Sequence, residues 1–170
     1  LLRRHMAALV HTLRTFVRYR ALIQSLVTRE LKARYRGSML GFLWSFVNPL
    51  LVLLNYTLVF TVILPNRQAD IQPYVLFLFC GILPWTWFSA SLAESSGVII
   101  ASGNLIKKVL FPAEVLPTVT VLANLVHFLL GLPILLLFLA WKGKLAWTVL
   151  FLPLPMLVQL VLTLGLALLL

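Results

Sequence analysis

Four carboxylates, three histidines and one cysteine are the acidic, imidazole and thiol groups that this 170-residue chain offers for catalysis or metal binding. The carboxylates are Glu30, Asp70, Glu94 and Glu114. They sit in a basic segment or at the ends of apolar runs, and no two are placed to act as acid and base across a substrate. His5, His11 and His127 show no metal-ligand spacing. His127 falls inside an apolar run, where polar groups often have a function, although one hydrogen bond to a neighbouring helix is the simpler role. Cys80 is the only cysteine, so neither an intrachain disulfide nor a cysteine zinc site can form. No GxxxxGK[ST] loop occurs, which excludes nucleotide hydrolysis by that route. The expectation is a chain that is not an enzyme and carries no metal or cofactor of its own.

What remains is recognition chemistry by aromatic rings, amides and short apolar anchors. At about 100° per residue, Phe42, Phe46, Tyr56 and Phe60 fall within an arc of about 80°. Ring faces of this kind can stack on the C–H faces of sugars without demanding fixed hydrogen bonds. The same stripe also serves as lipid-facing or packing surface. Trp44, Asn48 and Asn55 lie on roughly the opposite side, where amides can bond a neighbouring helix. A second short segment, from Ser102 or Asn104 to Phe111, has a capping residue at its start. Pro112 stops it by disfavouring the helical conformation in its predecessor.

The elements that must position these groups follow from four stretches without charge. They run between Arg36 and Arg67, between Asp70 and Glu94, between Glu114 and Lys142, and from Leu145 to Leu170. A bilayer core of about 30 Å needs roughly 20 apolar residues at about 1.5 Å rise each. With 62% of residues hydrophobic and only 11% charged, four membrane spans are the economical reading. The fold class is therefore all-α, a polytopic transmembrane helical bundle. Spans are expected at about 38–64, 73–93, 116–141 and 145–170. Pro49, Pro84, Pro133, Pro153 and Pro155 lie within them, and packed neighbours can tolerate such interruptions.

The net charge of +10 is distributed unevenly. Nine Lys and Arg precede the first span, and Lys107 and Lys108 lie between the second and third. A cytoplasmic amino terminus puts these eleven inside and leaves Arg67, Lys142 and Lys144 outside, the arrangement favoured by the positive-inside rule. Beside a membrane span, such a basic region points to anionic lipid or a peripheral partner rather than nucleic acid. Residues 5–36 read as an amphipathic helix. Arg14, Arg18, Arg29, Lys32 and Arg36 share one arc, Met6, Leu9, Val10, Leu13, Phe16 and Val17 gather opposite, and Arg20 and Arg34 break the pattern. It can lie in the head-group layer or dock a cytoplasmic partner as well. Trp85, Trp87, Trp141 and Trp147 read as interfacial anchors, the first two rather deep for that role. The start at Leu1 and the end on Leu-Ala-Leu-Leu-Leu suggest a fragment of a longer membrane domain.

Two segments carry a resemblance. One is Arg29-Glu30-Leu31-Lys32-Ala33-Arg34-Tyr35-Arg36-Gly37-Ser38, continuing through Gly41-Phe42-Leu43-Trp44 to Asn48-Pro49-Leu50. The other is Gly81-Ile82-Leu83-Pro84-Trp85, followed by Asn104-Leu105-Ile106-Lys107-Lys108-Val109-Leu110-Phe111-Pro112 and Glu114-Val115-Leu116-Pro117. Together, over residues 20–120, they closely resemble membrane (permease) subunits of type-2 ABC transporters. The similarity is to the polysaccharide and polyol-phosphate export group, which serves O-antigen, capsule and teichoic acid. Ala113 stands where that group usually has a basic residue.

The resemblance implies six spans, four of them in this chain, and an interface helix ahead of the first. It implies a coupling helix at 102–111 that contacts a separate cytoplasmic ATPase through Asn104, Leu105, Ile106, Lys107, Lys108 and Phe111. ATP and Mg would be held by that partner. It further implies a homodimer of permease subunits in the cytoplasmic (inner) membrane, moving a lipid-linked glycan, with Phe42, Phe46, Tyr56 and Phe60 as a candidate substrate path. Two alternatives stay open from the sequence: a type-2 exporter of drugs or peptides, and a non-transporting scaffold that recruits a cytoplasmic partner.

Overall fold

A computed structural model describes residues 18–34, 36–37, 41–63, 74–101 and 114–170. Five α-helices form it: α1 (Arg20–Arg34), α2 (Trp44–Leu58), α3 (Tyr74–Ala101), α4 (Val115–Trp141) and α5 (Pro153–Leu169). There is no strand among the described residues. Among the described residues, three helical stretches are long and apolar enough to cross a membrane: Tyr74–Val98, Val115–Trp141 and Trp147–Leu169. The expected first span is a composite of a 3₁₀ turn at Gly41–Leu43, then α2, then a π-helical stretch at Val59–Ile63. Laid end to end, the three pieces reach about 35 Å at a rise near 1.5 Å per residue. That is enough to cross, by a helix of uneven winding.

α1 is built from good helix formers and closes on itself locally. Thr28 donates to the Gln24 carbonyl at 2.8 Å, and Arg34 faces Glu30 at 3.7 Å one turn back. Lys32 and Arg34 in the last turn complement the helix dipole. Gly37, at φ +86°, lets the chain leave the helix. Ile23 and Leu26, one turn apart, are buried against Val115 and Val119 of α4. The described part of the expected amphipathic segment is thus a helix packed along the first turns of α4, and residues 5–17 lie outside the described residues.

α4 is the central helix. Every residue from Val115 to Val121 is buried, as are Ala123, Asn124, Phe128, Gly131, Leu132 and Leu135. It packs on α1, α2, α3 and α5. Between helices in lipid, apolar burial supplies little net drive, because tails are as apolar as leucine. Close packing and interhelical hydrogen bonds carry the association. Both are visible: Phe79, Leu83 and Trp87 of α3 interleave with Phe128, Leu132 and Leu135 of α4 and Leu53 of α2. Gly131 makes room for the contact, since a Cβ there would stand 2.9 Å from Leu83 Cδ1 and 3.5 Å from Pro49 Cγ.

Hydroxyls within the spans mostly bond their own helix. Thr57, Thr118, Thr120 and Thr163 each donate to the carbonyl four residues back. α4 ends in a Schellman turn, with Lys144 N–H on the Leu139 carbonyl and Gly143 N–H on the Ala140 carbonyl. Gly143 supplies the positive φ of +65° that this turn requires.

Two boundaries differ from the sequence expectation. The second span was expected to end at 93, yet α3 continues to Ala101. Glu94, Ser95, Ser96 and Gly97 have loop-like composition, but Ser96 bonds back to the Ala93 carbonyl and Glu94 is held by two other helices. At the fourth span, a 3₁₀ stretch at Trp147–Phe151 precedes α5, which begins on Pro153, a residue suited to a first helical turn. The expected coupling helix at 102–111 lies outside the described residues.

Candidate functional site

Arg34, Glu94 and Asn124 come from α1, α3 and α4 and close a three-membered ring of hydrogen bonds. Arg34 Nη1 donates to Asn124 Oδ1 at 2.9 Å, and Arg34 Nη2 donates to Glu94 Oε2 at 2.5 Å. Asn124 Nδ2 donates to the same Glu94 oxygen at 2.9 Å. One carboxylate oxygen thus takes a donor from each of the other two members, and the arginine fork reaches both partners at once. Glu94 lies inside the span Tyr74–Val98, and Asn124 lies in the third turn of α4. The Arg34 and Glu94 side chains are 24% and 41% exposed, so the ring is open on one side.

That open side faces a cavity of about 470 Å³ between α1, α2, α3 and α4. Asn48 and Ser45 of α2 line it, with Thr86 of α3 and His127 of α4. His127 stands one turn beyond Asn124, within electrostatic reach of both Arg34 and Glu94. The walls are Phe79, Trp87 and Phe128 with Pro49 and Val52. Trp87 stacks on Phe128 at 5.1 Å between centroids, and its Nε1 donates to the Val121 carbonyl at 3.3 Å. A half-open cavity lined by a charged pair, two amides, an imidazole and aromatic rings can bind a small polar group. It can also let the helices around it shift.

The structure places the expected residues unevenly. Tyr56 and Phe60 stack on each other at 6.1 Å, Phe60 meets Tyr74 edge-on at 5.3 Å, and both pack against the core of α3 and α4. Phe46 is half-buried, and the side chain of Phe42 lies outside the described residues. From α2 the cavity is lined by the other face, Ser45, Asn48, Pro49 and Val52. Both Asn48 and Asn55 are exposed, but only Asn48 lines the cavity. Among the tryptophans, Trp85, Trp141 and Trp147 are exposed, as anchors would be. Trp87 is buried at 3% and is a core residue, a correction to its reading as an anchor. The six expected coupling-helix residues, Asn104, Leu105, Ile106, Lys107, Lys108 and Phe111, lie outside the described residues.

Asn124 was missed by sequence reasoning. Two signals pointed to it: an amide in an otherwise apolar run, one turn from His127, and Arg34 standing off the basic arc of its helix. A second polar tie also crosses helices. Gln159 Nε2 of α5 donates to the Pro84 carbonyl of α3 at 2.7 Å.

An all-helical membrane bundle with an amphipathic helix bonded into it defines a multi-pass integral membrane protein. The chain belongs to the ABC-2 type transporter family, whose family model matches residues 21–170. It is 45% identical over 159 residues to the O-antigen export system permease protein RfbA of Myxococcus xanthus, covering 93% of this chain and 60% of that protein. It is 37% identical over 129 residues to a protein of the same name from Klebsiella pneumoniae, covering 74% of this chain and 49% of that one. It is 27% identical over 122 residues to the polysialic acid transport protein KpsM of Escherichia coli, covering 71% and 46%. The chain therefore spans about half to three-fifths of the length of the relatives it matches.

Proposed function

We propose that this chain is part of the permease subunit of an ATP-driven exporter that moves a lipid-linked polysaccharide, or a related polyol-phosphate polymer, across the cytoplasmic membrane. The observation that carries this reading is the 45% identity, over 93% of the chain, to a protein named as an O-antigen export permease. The match to a polysialic acid transport protein adds a second glycan polymer among its relatives.

In this reading two copies of the permease enclose the path, and each engages a cytoplasmic ATPase that holds ATP and Mg. The chain itself performs no hydrolysis, and nucleic acid is not a partner. The amino terminus lies in the cytoplasm, which the eleven-to-three division of Lys and Arg favours. Leu105, Ile106 and Phe111 seat as apolar anchors in a groove on the ATPase, with Asn104 at the helix start and Lys107 and Lys108 at the rim. Phe42, Phe46, Tyr56 and Phe60 contribute ring faces to the sugar path. The arrangement of Tyr56 and Phe60 in a continuous aromatic series with Tyr74 is compatible with such a face.

The test is deletion and complementation of the full-length protein in its own cell. Loss of long-chain glycan from the surface, with polymer retained inside and the ATPase copurifying with the restored protein, is the expected result. Normal surface glycan in the deletion strain would reject the reading.

A further inference from the structure

We propose that Arg34, Glu94 and Asn124 form a releasable latch that positions α1 against the membrane helices, and that it opens and closes during transport. The proposal rests on the exporter reading above and names three positioning residues for its coupling step.

Three observations carry it. First, the ring is an unusual investment. Glu94 and Asn124 sit within the apolar spans of α3 and α4, where polar residues are functional by default, and Arg34 reaches both from the last residue of the basic α1. α1 already has an apolar dock at Ile23 and Leu26. The ring, two turns further along, adds direction: it is satisfied only when all three helices are in register, because Glu94 Oε2 takes both donors.

Second, the ring can open without stranding its members. It borders the 470 Å³ cavity, which Asn48, Ser45, Thr86 and His127 also line. A released guanidinium or carboxylate would meet polar groups and water there rather than lipid. An element with two satisfied arrangements is the physical requirement for a switch. Third, α1 offers a handle. Its outward side is exposed and basic, with Arg29 and Lys32, so a force applied there is delivered along the helix to Arg34.

The experiment uses the full-length protein with its ATPase in lipid nanodiscs. Glu94→Gln keeps the shape and an acceptor oxygen but removes the charge. Arg34→Lys keeps the charge but loses the fork, and it serves if the first variant fails to reach the membrane. Arg34→Glu combined with Glu94→Arg reverses the pair. Glu30→Gln, which touches Arg34 only from its own helix, is the control. Two readouts are taken: amide hydrogen exchange along residues 22–34, and glycan exported per ATP hydrolysed. The latch predicts about tenfold faster exchange in α1, with α4 unchanged, and at least a fivefold fall in export per ATP for either single variant. The reversed pair should recover half or more of both, and the control should match the parent.

Parental exchange and parental export per ATP in a single variant that reaches the membrane would overturn the latch. So would faster exchange with unchanged export per ATP, which would make the ring a purely structural tie. A reversed pair no better than the singles would also overturn it. If the parent complex moves no glycan, the exporter reading fails instead, while the exchange arm still reports whether the ring holds α1.

Discussion

Trp87 shows how one side chain is divided between shape and polarity. Its ring stacks on Phe128 and fills the core, while its N–H reaches the Val121 carbonyl. Trp87→Phe keeps most of the ring contact and deletes only the donor. It should cost about 0.5–1.5 kcal/mol, the usual range for an interhelical hydrogen bond in a membrane. Gly131 is the opposite case, where absence is the function. A methyl there meets the flexible end of Leu83, which can turn aside, so Gly131→Ala should be nearly neutral. Gly131→Leu also drives into Pro49 and should lower stability by about 1–3 kcal/mol through overpacking. Thermal unfolding in detergent, read by tryptophan fluorescence or by loss of monodisperse protein, ranks the three variants. A Gly131→Leu protein as stable as the parent would mean that α2 and α3 do not approach α4 as closely as described.

Single helices were legible in the sequence to the extent that charge-free length marks them. Helical stretches long and apolar enough to cross a membrane stand over the expected third and fourth spans, at Val115–Trp141 and Trp147–Leu169. Other features were hidden for definable reasons. α3 runs on to Ala101 because contacts from residues 30 and 60 positions away in sequence hold Glu94, which local composition cannot reveal. The aromatic arc of α2 assumed 100° per residue, yet the helix ends in π geometry at Val59–Ile63, which alters the register at Phe60. Ser91 and Ser95 look polar in sequence but are buried at 0% and 1%, with hydroxyls that lack a partner. Their small size suits a close helix contact, and the hydroxyls add nothing to it. Ser91→Ala and Ser95→Ala should therefore leave stability unchanged or slightly raised, because each removes an unsatisfied group. A clear loss of melting temperature in both would show that the hydroxyls are bonded after all. For the coupling helix proposed at 102–111, Phe111→Ala should weaken ATPase copurification and transport-linked ATP turnover more than Lys108→Ala. Buried apolar anchors dominate interface energy, whereas rim charges mainly set association rate and salt dependence. Phe111→Ala should still insert normally, and unchanged binding and turnover would disprove the assignment.

The whole molecule has sides as well as layers. α5 buries only Thr163 and Ala167, and Leu154, Leu157, Val158, Val161 and Leu162 remain exposed, a composition that suits lipid contact. We propose the orientation from charge: an amino terminus inside leaves residues 65–72 and the turn at 142–144 outside. In a background where Cys80 is replaced, Arg67→Cys should react with an impermeant thiol reagent from the outer side. Reaction from the cytoplasmic side only would reject this orientation and, with it, the proposed cytoplasmic placement of α1 and of residues 102–111.

The encasement of α4 also bears on how the protein is made. Three of the four helices that surround it, α1, α2 and α3, precede it in the chain, and the fourth follows across a short turn. A nascent chain elongates at about 5–20 residues per second and folds from its amino end. When α4 leaves the ribosome, Ile23, Leu26, Trp87 and the Arg34–Glu94 pair are already present to receive it. Asn124 then completes a ring whose other two members were synthesised earlier. Assembly of this half of the bundle can thus proceed in step with synthesis, with α1 docking once α4, the helix it chiefly packs on, has arrived.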